Sequence, residues 1–395
     1  MTKFKQMKLK LLIICTLLVH QINAQSYQKI HDKAIVVDSH NDILTQTMAE
    51  GIVFDKNLEG ITHSDLDRLK LGGIDVQFFS VWCSGQKVDP FDYANRQMDT
   101  LDAVIKRNPD KIVKVANTDE LYAVVNQQKI AALFGVEGGH MIEDDLSKLE
   151  YLYNRGARYL TLTWNNSTSW ATSASDETQN MDLEHKGLTD FGKQVVRKMN
   201  ALGMMVDVSH VGEQTFWDVI NTTNKPIIAS HSSVYNICPH SRNLKDEQII
   251  AIAKNGGVVQ INFYSGFLDS SYQKKKTAFM QKYNSVKDSL INNGMDEWDI
   301  EYYFFTKYQD EADAVKAPLS KLIQHIEYII NLVGIDYVGL GSDFDGITSP
   351  PQQLDDVTAY PLITKALVEK GYNNTDISKI LGGNILRVLK ANEVK

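Results

Sequence analysis

Six side chains able to hold a metal ion or move a proton recur at the ends of apolar runs in this sequence. Ile35-Val36-Val37-Asp38-Ser39-His40-Asn41-Asp42 begins apolar and then delivers a histidine and an aspartate two positions apart. In an extended strand residues i and i+2 share a face, so His40 and Asp42 project together. Glu137 closes a second apolar run and is followed by Gly138-Gly139-His140. Asp207-Val208-Ser209-His210 and Ala229-Ser230-His231 close two more, and Gly341-Ser342-Asp343-Phe344-Asp345-Gly346 a fifth. Imidazole nitrogens and carboxylate oxygens are the donors that suit zinc. A lone histidine is ordinarily a packed or surface residue; three histidines and three carboxylates at five run ends read as a metal centre. They are too many for one tetrahedral ion. Two ions sharing a carboxylate fit better, with Glu137 as the natural bridge.

The elements that must position these groups are legible as alternation. Strands are expected over residues 34–40, 74–82, 130–137, 158–164, 204–210, 226–231, 257–263 and 337–343. Most are continuous Val/Ile/Leu runs, as in strands of a parallel sheet buried on both faces. Helical spacing of apolar residues marks 66–71, 94–107, 188–202 with Thr189 as cap, 246–254 introduced by Asn243, and 319–333. The pattern predicts an α/β fold, a (β/α)8 TIM barrel, whose active site forms at the C-terminal strand ends where the six groups lie. A doubly wound sheet is the rival, but no Gly-rich phosphate loop follows the first strand. Residues 165–182, rich in Ser, Thr, Asn and Asp, read as a long loop without helical periodicity. Residues 268–318 form an insertion after the seventh expected strand, carrying Tyr302-Tyr303-Phe304-Phe305. It either shapes the active site or is a solvated helical decoration with a structural aromatic cluster.

Residues 1–24 read as a secretory signal peptide, with Lys3, Lys5, Lys8 and Lys10 ahead of an apolar stretch too short for a membrane span. One domain is expected over 25–395, exported to the periplasm or the extracellular space. The formal charge of -8 includes those four lysines, so the exported chain carries about -12. Such an acidic protein is a poor partner for nucleic acid or an anionic membrane surface, and no membrane insertion is expected after cleavage. Cys83 and Cys238 are too few for a disulfide framework, and the sequence does not pair them. The oligomeric state is left open, a homodimer included.

With these motifs in view, the chain resembles the membrane (renal) dipeptidase family, the M19 metallopeptidases of the amidohydrolase-like barrels. The likeness rests on the motifs above together with Tyr159-Leu160-Thr161-Leu162-Thr163, Ser230-His231-Ser232-Ser233 and Ser241-Arg242-Asn243, and covers nearly all of residues 25–395. The resemblance implies a di-zinc dipeptidase acting on a small dipeptide and tolerating a D-residue at its C-terminal position. His40 and Asp42 would hold one metal, His210 and His231 the other, and Glu137 both. Asp343 would be the catalytic acid/base, Glu137 sharing the catalytic centre, and Arg242 would hold the terminal carboxylate. A water between two zinc ions is a nucleophile near neutral pH. Mammalian members carry a histidine where this chain has Trp164, whose indole donates one hydrogen bond and accepts none. Trp164 is therefore expected to line the substrate site with altered consequences for rate or range, and His185 in the following loop is either a substitute or, as its setting favours, a plain surface histidine. Cys83 and Cys238 match cysteines of two different mammalian pairs, so neither disulfide is implied. His140 either orients a ligand or packs; His31, His63, His240 and His325 read as structural or exposed. Two rivals stand beside this reading. Another barrel hydrolase, acting on lactones or amides, would use a lysine bridge where this chain has Glu137. A peptide-binding homologue without turnover would not need the full ligand set and Asp343.

Overall fold

The structure, a computed structural model, describes residues 27–394. The expected signal segment and its boundary lie outside them. Among the described residues nine strands form one parallel sheet: β1 (Val36–Asn41), β2 (Ile74–Trp82), β3 (Ile112–Lys114), β4 (Ile130–Glu137), β5 (Ala157–Thr161), β6 (Met205–Asp207), β7 (Ile228–Ala229), β8 (Val258–Ile261) and β9 (Val338–Leu340). Eight run round the barrel in the order β1-β2-β4-β5-β6-β7-β8-β9. The seam between β9 and β1 is closed just above the strands, where the Asp343 amide donates to the His40 carbonyl at 3.0 Å and the Asp42 amide to the Phe344 carbonyl at 2.8 Å. This is the expected (β/α)8 barrel.

The ninth strand, β3, escapes a reading of apolar runs because it is three residues long. Its place follows from register. β2 occupies one edge of β4 from Ala131 to Glu137, and β5 joins the other edge only from Phe134 onward. Below that point Ile112–Lys114 covers the vacant edge opposite Ile130, Ala131 and Ala132. β6 and β7 are shorter than expected, so His210 and His231 lie on the turns beyond them.

Helices Leu66–Leu71 and Leu319–Val333 have the expected limits. Pro90–Arg107 starts earlier than expected, with proline in its first turn, where the missing N–H costs nothing. Thr189 caps Asp190–Leu202 through the Gly192 amide. Asn243 does not introduce Asp246–Lys254: its side chain donates to the Cys238 and Phe267 carbonyls, and Gln248 reaches back to the Lys245 amide instead. The stretch expected to be helix-free contains Ala174–Gln179, capped by Ser173 and too short to show a period.

The insertion is helical, including Tyr272–Gln281, Asn284–Asn292 and Glu297–Lys307. It has its own core of Tyr272, Phe279, Ile300, Phe304 and Phe305. It is fastened to the loop after β9 by Tyr272 Oη to Ser349 Oγ at 2.6 Å and by Thr348 donating to Glu301 at 2.5 Å. The segment has a structural aromatic cluster that includes Phe304 and Phe305, while its Glu301 lines the cavity described below. At the opposite end, helix Asn384–Asn392 packs Ile385, Leu386, Val388 and Leu389 against Val37, Leu133, Met205 and Val258. No described helix is long and apolar enough to cross a membrane. Cys83 and Cys238 are free and buried.

Tyr159 stands inside the barrel, and Gly135 on the neighbouring β4 makes room for its ring. A Cβ at Gly135 would lie 1.9 Å from the Tyr159 ring. Gly135→Ala is expected to destabilise the fold by about 1–3 kcal/mol through overpacking, read as a lowered urea midpoint with an unchanged slope.

Candidate metal centre

The C-terminal strand ends bring the predicted groups into one buried cluster. His40 Nε2 lies 3.3 Å from Asp42 Oδ2 and 3.3 Å from Glu137 Oε2. The other oxygen, Glu137 Oε1, is 2.9 Å from His210 Nε2 and 3.4 Å from His231 Nε2. The two imidazoles bring their Nε2 atoms within 3.0 Å of each other. One carboxylate thus faces two sets of donors, one on each oxygen. Asp42 occupies the N-cap position of helix Ile43–Glu50 yet makes no capping bond; its carboxylate turns to the cluster instead.

A second layer fixes each ring. Tyr159 Oη donates to the Ser39 carbonyl at 3.0 Å, so at 2.8 Å it accepts from His40 Nδ1. Ser230 Oγ donates to Asp207 at 2.6 Å and accepts from His231 Nδ1 at 2.8 Å. Asn165 Oδ1 lies 3.0 Å from His210 Nδ1. With Nδ1 carrying the proton, each ring turns an Nε2 lone pair inward. Two buried aspartates tie the loops together in parallel fashion. Asp38 accepts from the amides of His40 at 3.3 Å and Ser342 at 2.8 Å. Asp207 accepts from those of Ser209 at 3.0 Å and Ser230 at 2.8 Å. His210 and Asp343 hold φ of 66° and 61°, left-handed conformations that non-glycine residues keep only where surroundings enforce them.

The donor set fits metal. A tetrahedral zinc with bonds of about 2.0–2.1 Å separates its donors by about 3.3 Å, close to the spacings around Glu137. His40 Nε2 is fully buried without a hydrogen-bond partner, which is costly unless another group occupies that position. Electrostatics agree. Burial opposes a charge on His40, yet Tyr159, Glu137 and Asp42 raise its pKa well above the usual range. Burial pushes Glu137 upward, but His40 and the bonds from His210 and His231 hold its carboxyl well below the usual range. The cluster favours a cation at its centre. Burial, with Arg242 nearby, pushes His210 down to about 4, leaving its lone pair free.

Above the cluster opens a cavity of roughly 630 Å³, whose walls include Asp42, Glu137, Trp164, His210, Arg242 and Asp343; His40 and His231 lie beneath, against Glu137. Arg242 is 7% exposed, donates to the His231 carbonyl at 3.2 Å, and keeps Nε without a partner. Burial lowers it to about 10, so it stays cationic. Trp164 packs edge-on against Trp82, ring centroids 4.9 Å apart. His185 does not line this cavity. His140 serves packing: its Nε2 meets the Cys83 carbonyl at 3.1 Å. Sequence reasoning missed Tyr159, Asp38, Asp207, Asn165 and Asn262. The amide of Asn262, just beyond β8, donates to Asp343 Oδ2 at 2.8 Å. The repeated Asp-Ser-His and Asp-Val-Ser-His spacing was the one available signal for the two aspartates.

Comparison with known proteins agrees with this architecture. The family described as membrane dipeptidase (peptidase family M19) matches residues 24–395. An uncharacterized dipeptidase of Schizosaccharomyces pombe is 34% identical over 95% of this chain and 84% of its own length. Dipeptidase 3 of Mus musculus is 31% identical over 90% of this chain and 64% of its own. Among solved structures, the probable dipeptidase PvdM of Pseudomonas aeruginosa superposes with a TM-score of 0.76 at 23% identity, over 94% of this chain and 98% of that one. A metallopeptidase of Rhodobacter sphaeroides, liganded with a phosphinate mimic of the dipeptide L-Ala-D-Ala, gives 0.73 at 24% identity, over 91% and 100%. The chain belongs to the membrane dipeptidase family, peptidase family M19.

Proposed function

We propose that this protein is an exported, zinc-dependent dipeptidase that hydrolyses the peptide bond of free dipeptides and accepts a D-residue at the C-terminal position. One observation carries the reading: Glu137 turns one oxygen to His40 and the other to His210 and His231. In this reading His40 and Asp42 hold one zinc, His210 and His231 the second, and Glu137 both. Zinc so held would supply an activated water and polarise the scissile carbonyl. The D-residue tolerance draws support from the L-Ala-D-Ala mimic bound by the Rhodobacter sphaeroides relative.

The chain's own residues supply the rest. Asn262 holds Asp343 by Oδ2, leaving Oδ1 to take a proton from water and return it to the leaving amine. Burial, with Asp42 and Glu137 close by, holds the Asp343 carboxyl well above its usual range against the opposing effect of His40, which suits a group that both gains and loses a proton. Arg242 receives the substrate's terminal carboxylate, for which a planar guanidinium offers two parallel charged bonds. Among the described residues no carboxylate is within ion-pairing distance of Arg242 to compete. Trp164 and Trp82 form an aromatic wall beside the bound side chains.

Three measurements test this. The purified protein is expected to contain about two zinc ions per chain, and Glu137→Gln to lose at least one by metal analysis; a single tightly held metal in an active preparation would sink the binuclear reading. Asp343→Asn should retain both metals while kcat falls roughly 10²–10⁴-fold; loss of zinc would make Asp343 a ligand instead. Arg242→Ala should lower kcat/KM at least about tenfold on free L,L and L,D dipeptides. It should barely change the poor hydrolysis of C-terminally amidated ones. Equal losses on both substrates would show that Arg242 supports the fold rather than the carboxylate.

A further inference from the structure

Asn165 lies at the start of the long loop after β5, on the wall of the cavity, with its side chain against His210. If His210 presents its Nε2 lone pair to metal, its Nδ1 carries the proton. The Asn165 atom 3.0 Å away must then be the carbonyl oxygen Oδ1. That contact orients the whole amide. Its Nδ2, with two N–H donors, points elsewhere and has no partner in the protein, on a residue that is exposed and lines the cavity. The backbone beneath it is pinned, Ser173 Oγ donating to the Asn165 carbonyl at 2.8 Å.

Two other side-chain donors on the cavity wall are already committed. Gln46 Nε2 donates to the Asp345 carbonyl at 2.9 Å, and Thr348 Oγ1 to Glu301 at 2.5 Å. Arg242 is reserved for the far end of a dipeptide.

We infer that Asn165 is a catalytic residue that donates an Nδ2 hydrogen bond to the substrate oxygen that gains negative charge when the peptide carbonyl is attacked. The inference rests on the metal-dipeptidase reading above. It gives one amide two tasks, since Oδ1 sets the His210 tautomer and, by the rigidity of the amide, aims Nδ2. A preorganised donor of this kind, orientated before substrate arrives, is effective because no reorganisation accompanies the reaction.

Two substitutions separate the tasks. Asn165→Asp keeps an acceptor for His210 Nδ1 and removes the donor; Asn165→Ala removes both without adding charge. In Asn165→Asp, zinc content and KM should stay at wild-type values while kcat falls about 10²–10³-fold, the usual effect of losing one such donor. Calorimetric affinity for a phosphinate dipeptide mimic, whose tetrahedral oxygens resemble the charged intermediate, should weaken by a similar factor. Asn165→Ala should show the same kcat loss together with weaker zinc retention. Wild-type kcat and mimic affinity in Asn165→Asp would overturn the proposal and leave Asn165 as a positioning residue for His210. Loss confined to the aspartate, with the alanine variant fully active, would trace the effect to the introduced charge and equally overturn it. Zinc-loaded wild-type protein inactive on all dipeptides would instead overturn the parent reading.

Discussion

The structure depends on holding ionisable groups apart from water with their lone pairs already aimed. Three imidazoles and the Glu137 carboxylate are buried within a few ångströms of one another, an arrangement that is unfavourable unless each polar atom has a partner. The protein solves the outer half of that problem itself. Tyr159, Ser230 and Asn165 satisfy the Nδ1 atoms, and the inner atoms are left facing each other. What remains is a set of donors whose repulsion a cation removes.

The barrel supplies the rigidity this requires. Asp38 joins β1 to the loop after β9, and Asp207 joins β6 to β7, each by accepting main-chain amides from its own strand end and from a neighbouring one. Because each aspartate precedes a candidate ligand, by two or three residues, they fix the turn that carries it. The left-handed residues His210 and Asp343 directly follow Ser209 and Ser342, whose amides these aspartates hold. On the other side of the cavity, the insertion is clamped through Glu301 and Tyr272 to the loop that follows Asp343. The floor formed by the cluster and the cavity wall are thus parts of one hydrogen-bonded frame.

Much of this was legible in the sequence for a simple reason. His40 and Asp42 stand two apart at the end of an apolar run, a pattern that strand geometry translates directly into a shared face. The barrel strands announced themselves as buried runs. The supporting residues did not, because their roles arise across long separations: Tyr159 meets His40 over 119 positions, and Asn262 meets Asp343 over 81. A tyrosine or asparagine carries no local pattern that distinguishes such a role from ordinary packing. β3 and helix Ala174–Gln179 were lost to brevity, since neither is long enough to show a period. Asn243 resembled a helix cap by type, but two carbonyls of the adjoining loop claimed its amide.

The seam between the first and last barrel strands has a consequence for how the protein comes into being. Every histidine of the cluster has been made by His231, yet the turn bearing His40 is held by Ser342, 304 positions after Asp38. Contacts so distant in the chain form late and slowly, because the loop entropy must be overcome before they contribute. A growing chain therefore carries all five candidate ligands long before it has the strand that locks the first of them in place. The final strand thus completes both the barrel and the setting of the first candidate ligand.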